Sequence, residues 1–415
     1  MTALATDSRL TDVRGEFPAL QRLGRDGSPV VYADAPGGTQ VPQRVIDAMV
    51  EYLVSHNSNI EGEFEATVET DHLIAKARRA AATFVGAAED EITFGGNMTS
   101  LNFNLTRALG RSLHPGDEII VTNLDHEGNV SPWLLLAADR NLTVRFVGLT
   151  DDLDIDLEEL QGALSPRTRV VAHTLSSNAV GTVPPASAIA DMVHDVGAVV
   201  WVDAVAYAPH RRIDVSQLKC DVLLCSPYKF FGPHAGLAWM RGSLAETLEP
   251  ERVRPASMLP IGHRFETGTL SHEAIVGVTA AIDYVASLGA GVDLSARLDD
   301  AYSRITRHEA ALSERFLAGV AAIPKVTVLG THEVDRRVCT FGLRIDGVDP
   351  AAAARFLNDR SIFSWNGNFY AQGVMEHLGL PMEDGILRIG FVHYATMEEV
   401  ERVVDAISEL VRASQ

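Results

Sequence analysis

The stretch Asp221-Val-Leu-Leu-Cys-Ser-Pro-Tyr-Lys229-Phe-Phe-Gly-Pro-His-Ala-Gly236 sets a lysine just past a short apolar run and just before a Gly-Pro turn. An amine at the end of a buried strand is desolvated, which disfavours the ammonium and lowers its pKa, as a Schiff-base lysine requires. Upstream, Ala198-Val-Val-Trp-Val-Asp203 ends an apolar run in a carboxylate in the same way. Lysine and aspartate at the ends of two buried strands are what pyridoxal phosphate asks of a protein. The amine takes its carbonyl, and the carboxylate keeps its ring nitrogen protonated so that the ring accepts electrons. Taken alone, Lys229 reads more readily as a strand-terminal lysine reaching solvent, and the rest of the chain reverses that reading.

Working outward, short β-branched runs recur at Glu91–Phe94, Glu118–Val121, Val144–Val147, Val170–His173 and Gly236–Met240. Helical patterns stand between or before them, at Val41–Ser55, Asp71–Val85, Asp156–Leu164 and Pro185–Val196. Strands alternating with helices predict an α/β fold with a mostly parallel sheet covered on both faces. Ligands of such sheets bind beyond the carboxyl ends of the strands, where Asp203 and Lys229 fall. After Ser287-Leu-Gly-Ala-Gly-Val the pattern changes to a long helix (Leu294–Ile323), strands near 325–329, 338–345 and 386–392, and helices at Asp349–Arg360 and Thr396–Ala413. The expected division is an N-terminal arm over 1–30, a large domain over 31–288 and a smaller α+β domain over 289–415.

Bulk composition narrows the function classes. Hydrophobic content of 46% with 22% charged residues is an ordinary globular balance, and 415 residues suffice for two domains. A net charge of −20 argues against a nucleic-acid partner. No apolar stretch reaches the roughly 18–20 residues of a membrane span, and the N-terminus lacks a signal-peptide pattern, so a cytoplasmic location is expected. Cys220, Cys225 and Cys339 form neither a metal-type cluster nor a disulfide framework.

Other segments offer chemistry at the same rim. Phe94-Gly-Gly-Asn-Met98-Thr99-Ser100 sits between a strand and a helix, so its backbone amides can receive a phosphate, or the segment is a simple N-cap. His126, after the next strand, can stack on a planar cofactor or be a polar loop residue. Asn178 follows the Val170 run, and Thr269 follows a glycine in Arg264-Phe-Glu-Thr-Gly-Thr269. Arg388 lies inside the apolar run Ile386–Phe391, where a guanidinium needs a partner: a substrate carboxylate or a structural ion pair.

In this order the segments resemble the class V aminotransferase family of fold-type I pyridoxal-phosphate enzymes, most closely its cysteine desulfurase-like branch. The resemblance runs from Tyr32-Ala-Asp-Ala-Pro-Gly-Gly38-Thr-Gln-Val-Pro42 to Arg388-Ile-Gly-Phe-Val-His-Tyr394. It implies a large domain with a mostly parallel seven-stranded sheet and a homodimer with shared active sites. By the same resemblance Lys229 is the Schiff-base lysine, Asp203 the partner of the ring nitrogen and His126 the stacking residue. Asn178 donates to the ring hydroxyl or to substrate, while the Met98 amide, Thr99 and Ser226 form the phosphate cup. Thr269 reaches the phosphate of the neighbouring subunit, Arg388 anchors the substrate carboxylate, and Gly38 and Tyr370 border the substrate.

Three departures bear on function. Desulfurases carry a mobile cysteine on a loop of the small domain, whereas the corresponding Phe363-Ser-Trp-Asn-Gly-Asn-Phe-Tyr370-Ala has none. Ala206 stands where the family usually has Gln or His, leaving Tyr207 or an altered pocket to compensate. Glu61 replaces a residue that is often basic. The expected activity is a lyase cleaving a C–S or other bond at Cβ of an amino acid or cysteine-type conjugate. Alternatives are an aminotransferase, an epimerase, decarboxylase or aldol-type enzyme, a cysteine desulfurase, and a non-catalytic protein that keeps the fold for binding.

Overall fold

The computed structural model describes Asp7, Leu10 and residues 12–414. Its strands are β1 (Val31–Tyr32), β2 (Ile92–Gly95), β3 (Glu118–Thr122), β4 (Thr143–Val147), β5 (Thr168–Thr174), β6 (Val199–Asp203), β7 (Val222–Cys225) and β8 (Gly236–Met240), followed by β9 (Val326–Leu329), β10 (Thr340–Ile345), β11 (Ile362–Phe363), β12 (Trp365–Gly367) and β13 (Ile386–Gly390).

A seven-stranded sheet runs in the order β2-β8-β7-β6-β5-β3-β4. Every neighbouring pair from β4 to β7 is parallel, and β8 runs against both β7 and β2. Its central strands read as unbroken apolar runs because helices cover both faces: Val200, Val202, Leu223 and Cys225 pack into one core, Val170, Ala172, Trp201 and Leu224 into another. Because β5, β6 and β7 are parallel neighbours, their carboxyl ends lie side by side. Thr174 pairs with Asp203 and Asp203 with Leu224, so the residues that follow each strand are delivered to one rim.

A second, antiparallel sheet of four strands, β12-β13-β10-β9, is backed by the helices Leu294–Ala321 and Met397–Ala413. The last helix begins with a capping box: Thr396 accepts from the Glu399 amide, and Glu399 accepts from the Thr396 amide. The two-residue strand β1 pairs in parallel with β11, so the start of the chain joins the small sheet's neighbourhood. Ahead of it, Phe17 is fully buried among Phe231, Tyr284 and Tyr394. Arg14 meets Glu399 at 2.7 Å.

Candidate active site

At the rim of the large sheet a cavity of about 490 Å³ opens between the two sheets. Met98, Thr99, His126, Asn178, Asp203, Ser226, Lys229, Tyr370 and Arg388 line it, drawn from five separate stretches of the large sheet and two of the small one. Two other expected residues lie outside. Gly38 packs behind Tyr228, while its neighbour Gly37 faces the cavity. Thr269 borders a separate depression with Gly95, Gly96 and Ser100, on the far side of His234.

Lys229 ends the short turn Pro227–Lys229 after β7, and its amine donates to the Pro36 carbonyl. Burial lowers its pKa from 10.5 to about 7, the Arg388 charge pushes the same way, and Asp203 opposes. Asp203 is the last residue of β6. Burial raises its carboxyl to about 6, against the Val205 N–H that it accepts at 2.8 Å and the Lys229 charge.

His126 sits on a loop fixed from below. Asp125, fully buried, accepts from Thr122 and from Asn129 at 2.8 Å. Asn102 donates to the Gly128 carbonyl at 2.8 Å and accepts from the Trp201 indole at 2.9 Å. His126 Nδ1 accepts the Gly128 N–H at 2.8 Å, which leaves any ring proton of the neutral form on Nε2. Burial, with the Lys229 and Arg388 charges, lowers this imidazole to about 4, so it is neutral near pH 7.

The helix Met98–Gly110 points its N-terminus at the cavity. Asn97 caps it by accepting the Ser100 N–H at 2.8 Å, and the Met98 amide donates to Ser226 Oγ at 3.0 Å. Amides, hydroxyls and the positive end of a helix suit a phosphate.

Arg388 stands on β13, opposite Gly342 and Trp365. It donates to the Asn178 carbonyl at 2.8 Å, and its guanidinium lies 3.8 Å from the Phe369 ring centroid. Burial lowers its pKa to about 9, so it keeps its charge at neutral pH. Arg388 Nε, Asn178 Oδ1 and Ser176 Oγ are buried without a partner. Orphaned donors and acceptors of this kind around a buried amine and a buried carboxylate fit a polar, aldehyde-bearing phosphate cofactor with an amino-acid substrate beside it.

Gly37, Tyr228, His234, Trp365 and Phe369 also line the cavity. Two of them flank Lys229 in its own motif, and Trp365 and Phe369 belong to the loop where a cysteine was sought. Their aromatic rings were the available signal. Ala206 faces the cavity beside Val205, whereas Tyr207 does not line it.

The aminotransferase class-V family profile matches residues 31–403. The chain belongs to the class V aminotransferase family. It is accordingly a pyridoxal-phosphate-dependent enzyme with the fold-type I architecture. It is 32% identical to the aminotransferase-like protein FGM3 of Gibberella zeae over 96% of this chain and 97% of that one. It is 31% identical to a probable cysteine desulfurase of Streptomyces coelicolor, with 96% of each chain covered. Among solved structures, the apo cysteine desulfurase of Thermococcus onnurineus NA1 superposes with a TM-score of 0.87 at 26% identity, covering 100% of both chains.

Proposed function

We propose that this class V enzyme is a lyase that breaks a C–S or related bond at Cβ of an amino acid or cysteine-type conjugate, without a cysteine nucleophile. One observation carries the reading: among the described residues the cavity wall contains an amine, a carboxylate and a guanidinium but no thiol. Cys220, Cys225 and Cys339 are free and buried, and burial raises each thiol well above its ordinary pKa. A thiol so placed is a poor nucleophile. The segment after β12 is also tied down: Asn178 donates to the Phe369 carbonyl at 2.8 Å, Glu127 N–H to the Tyr370 carbonyl at 2.7 Å, and Asn368 to the Met382 carbonyl at 2.9 Å.

Pyridoxal phosphate, when bound, supplies a carbonyl for the substrate amine and a sink for the electron pair left at Cα. Lys229 would hold the cofactor through its amine, and that amine would take the proton from Cα as the Cβ substituent leaves with the bonding pair. Its lowered pKa leaves a useful fraction of free amine near pH 7. Asp203 would keep the ring nitrogen protonated, and the neutral His126 ring would lie against the cofactor. The Met98 amide, Thr99 and Ser226 receive the phosphate. Arg388 and Asn178 would orient the substrate carboxylate, with Tyr370 bordering the substrate and Gly37, in place of its neighbour Gly38, facing it.

We read the active form as a homodimer in which Thr269 serves the neighbouring subunit's phosphate. Val50, Leu53, Val54, Phe64 and Val68 are exposed on adjacent elements, an apolar surface of the kind that subunits cover. Residues 1–30, 31–288 and 289–415 are taken as arm, large domain and small domain. Three unpaired cysteines suit a reducing, cytoplasmic setting. Among the described residues no helix is long and apolar enough to cross a membrane.

Aminotransfer is the second reading, favoured by the name of the Gibberella relative. The test is to mix the holoenzyme with amino acids and cysteine S-conjugates and to follow products and cofactor absorbance. Pyruvate with ammonia is the expected outcome for a β-substituted substrate. A pyridoxamine form without elimination establishes aminotransfer instead, and alanine with protein-bound sulfur establishes desulfuration.

A further inference from the structure

We infer that Arg337 is a positioning residue that locks the turn 177–182 to the small sheet and so fixes Asn178 against Arg388. Arg337 is 2% exposed, and among the described residues its hydrogen bonds all go to carbonyls: Thr331, Val180 at 3.1 Å and Thr340 at 2.7 Å. Its neighbour Arg336, in contrast, pairs with Asp154 at 2.6 Å. A buried guanidinium held by carbonyls alone is expensive, and here it is also set 4.4 Å from the Phe341 ring centroid. The carbonyls belong to both sides of the cavity. Val180 is on the turn that follows β5, and Thr340 begins β10 of the small sheet.

The contact is reinforced around Arg337. Val338 N–H donates to the Gly181 carbonyl at 2.9 Å, and Val183 N–H to the Arg336 carbonyl at 2.9 Å. Gly181 has a φ of +82°, and a Cβ there would strike the Thr340 carbonyl, so the backbones touch only because this residue is glycine. The turn closes on itself, with Ser177 N–H bonded to the Thr182 carbonyl at 2.8 Å and Gly181 N–H to the Ser177 carbonyl at 3.0 Å. Asn178 therefore moves with Val180. On the other side, Thr340 pairs with Gly390 and Gly342 with Arg388, so Arg388 moves with the strand that Arg337 holds. The 2.8 Å bond from Arg388 to the Asn178 carbonyl spans the two clamped pieces. Loss of the clamp would misaim the guanidinium without touching Lys229 or Asp203.

The inference rests on Arg388 as the carboxylate anchor, and its test does not depend on which bond the enzyme cleaves. The holoenzyme and its Arg337→Met and Arg337→Lys variants are titrated with L-alanine and with ethylamine, which lacks the carboxylate. Cofactor absorbance reports binding, and melting is recorded separately. Arg337→Met is expected to weaken L-alanine by about tenfold and ethylamine by less than about twofold, with partial recovery in Arg337→Lys. Equal loss for both probes, or a lower melting temperature with unchanged binding, makes Arg337 merely structural and overturns the inference. Should Arg337→Met fail to fold, Gly181→Ala is read in the same way, because its Cβ pushes the same two backbones apart. Arg388→Lys run alongside separates the failures: if it weakens L-alanine no more than ethylamine, the anchor assignment falls, and this inference falls with it.

Discussion

The amide of Glu127 donates a 2.7 Å hydrogen bond to the carbonyl of Tyr370, joining the loop of His126 to the segment where a desulfurase would carry its nucleophile. The His126 and Tyr370 rings lie 5.4 Å apart, so the small-sheet segment closes over the histidine rather than swinging free of it. Both Phe369 and Tyr370 have left-handed backbones, with φ of 57° and 55°. Two successive non-glycine residues in that region persist only where surrounding contacts hold them.

Replacing all three cysteines by serine or alanine should leave the chemical step intact. The cost should fall on stability, about 1–3 kcal/mol for each buried position, visible in denaturant midpoints and not in kcat. A folded triple variant without activity would put thiol chemistry ahead of the lyase reading.

Lys229→Ala should abolish turnover while keeping the fold, because among the described residues no other amine lines the cavity. Near-normal product formation by this variant, checked by single-turnover assay, would remove Lys229 from the mechanism.

Asp203→Asn should lower kcat on the order of a hundredfold while cofactor remains bound, since an amide does not stabilise a protonated ring nitrogen. A rate within a few-fold of the unchanged enzyme assigns that role elsewhere.

Arg388→Lys should lower kcat/KM for substrates with an α-carboxylate by about 2–4 kcal/mol, mainly through KM. One ammonium does not reproduce the two parallel bonds of a guanidinium. An unchanged KM with a collapsed melting temperature would make Arg388 a structural group only.

Lys229 also gives the apoenzyme a pH signature. Its native pKa of about 7 lies below the ordinary 10.5, so between these values the unfolded chain binds more protons than the native one. Stability from this group therefore rises with pH across that window, and the penalty is fully present below about pH 7. Apo Lys229→Met should exceed the unchanged apoenzyme in urea midpoint at pH 6, with the advantage shrinking by pH 9. An advantage that does not vary with pH would mean that the amine is solvated.

Much of the large sheet was legible because a buried parallel strand must be apolar from end to end and its ligand-binding groups must follow it. Asp203 and Lys229 obey both conditions, and both reach the cavity. The helix His272–Ser287 was not anticipated: it is buried on most sides, so its Ala-Ile-Val-Gly-Val-Thr-Ala-Ala-Ile run lacks the amphipathic period that marks a surface helix. Helix Glu65–Val85 starts six residues before the anticipated Asp71, since Glu65–Thr70 carries no apolar stripe. Strands β1 and β11 escaped for another reason: two residues are too few for alternation to show, and each finds its partner only through the fold. Thr269 carried a suitable hydroxyl, but no local pattern says that its loop borders a different depression from the one that holds Lys229.

The pairing of Val31 with Ile362 also constrains how the chain is made. Every strand of the large sheet has left the ribosome once Met240 has emerged, yet the first strand of the protein still has no partner. Val31 and Ala33, buried in the folded molecule, must wait in solvent or in provisional contacts until residue 362 has also been made. A nascent chain arrested before Ile362 should therefore display its N-terminal segment to proteases, even with the large sheet complete behind it.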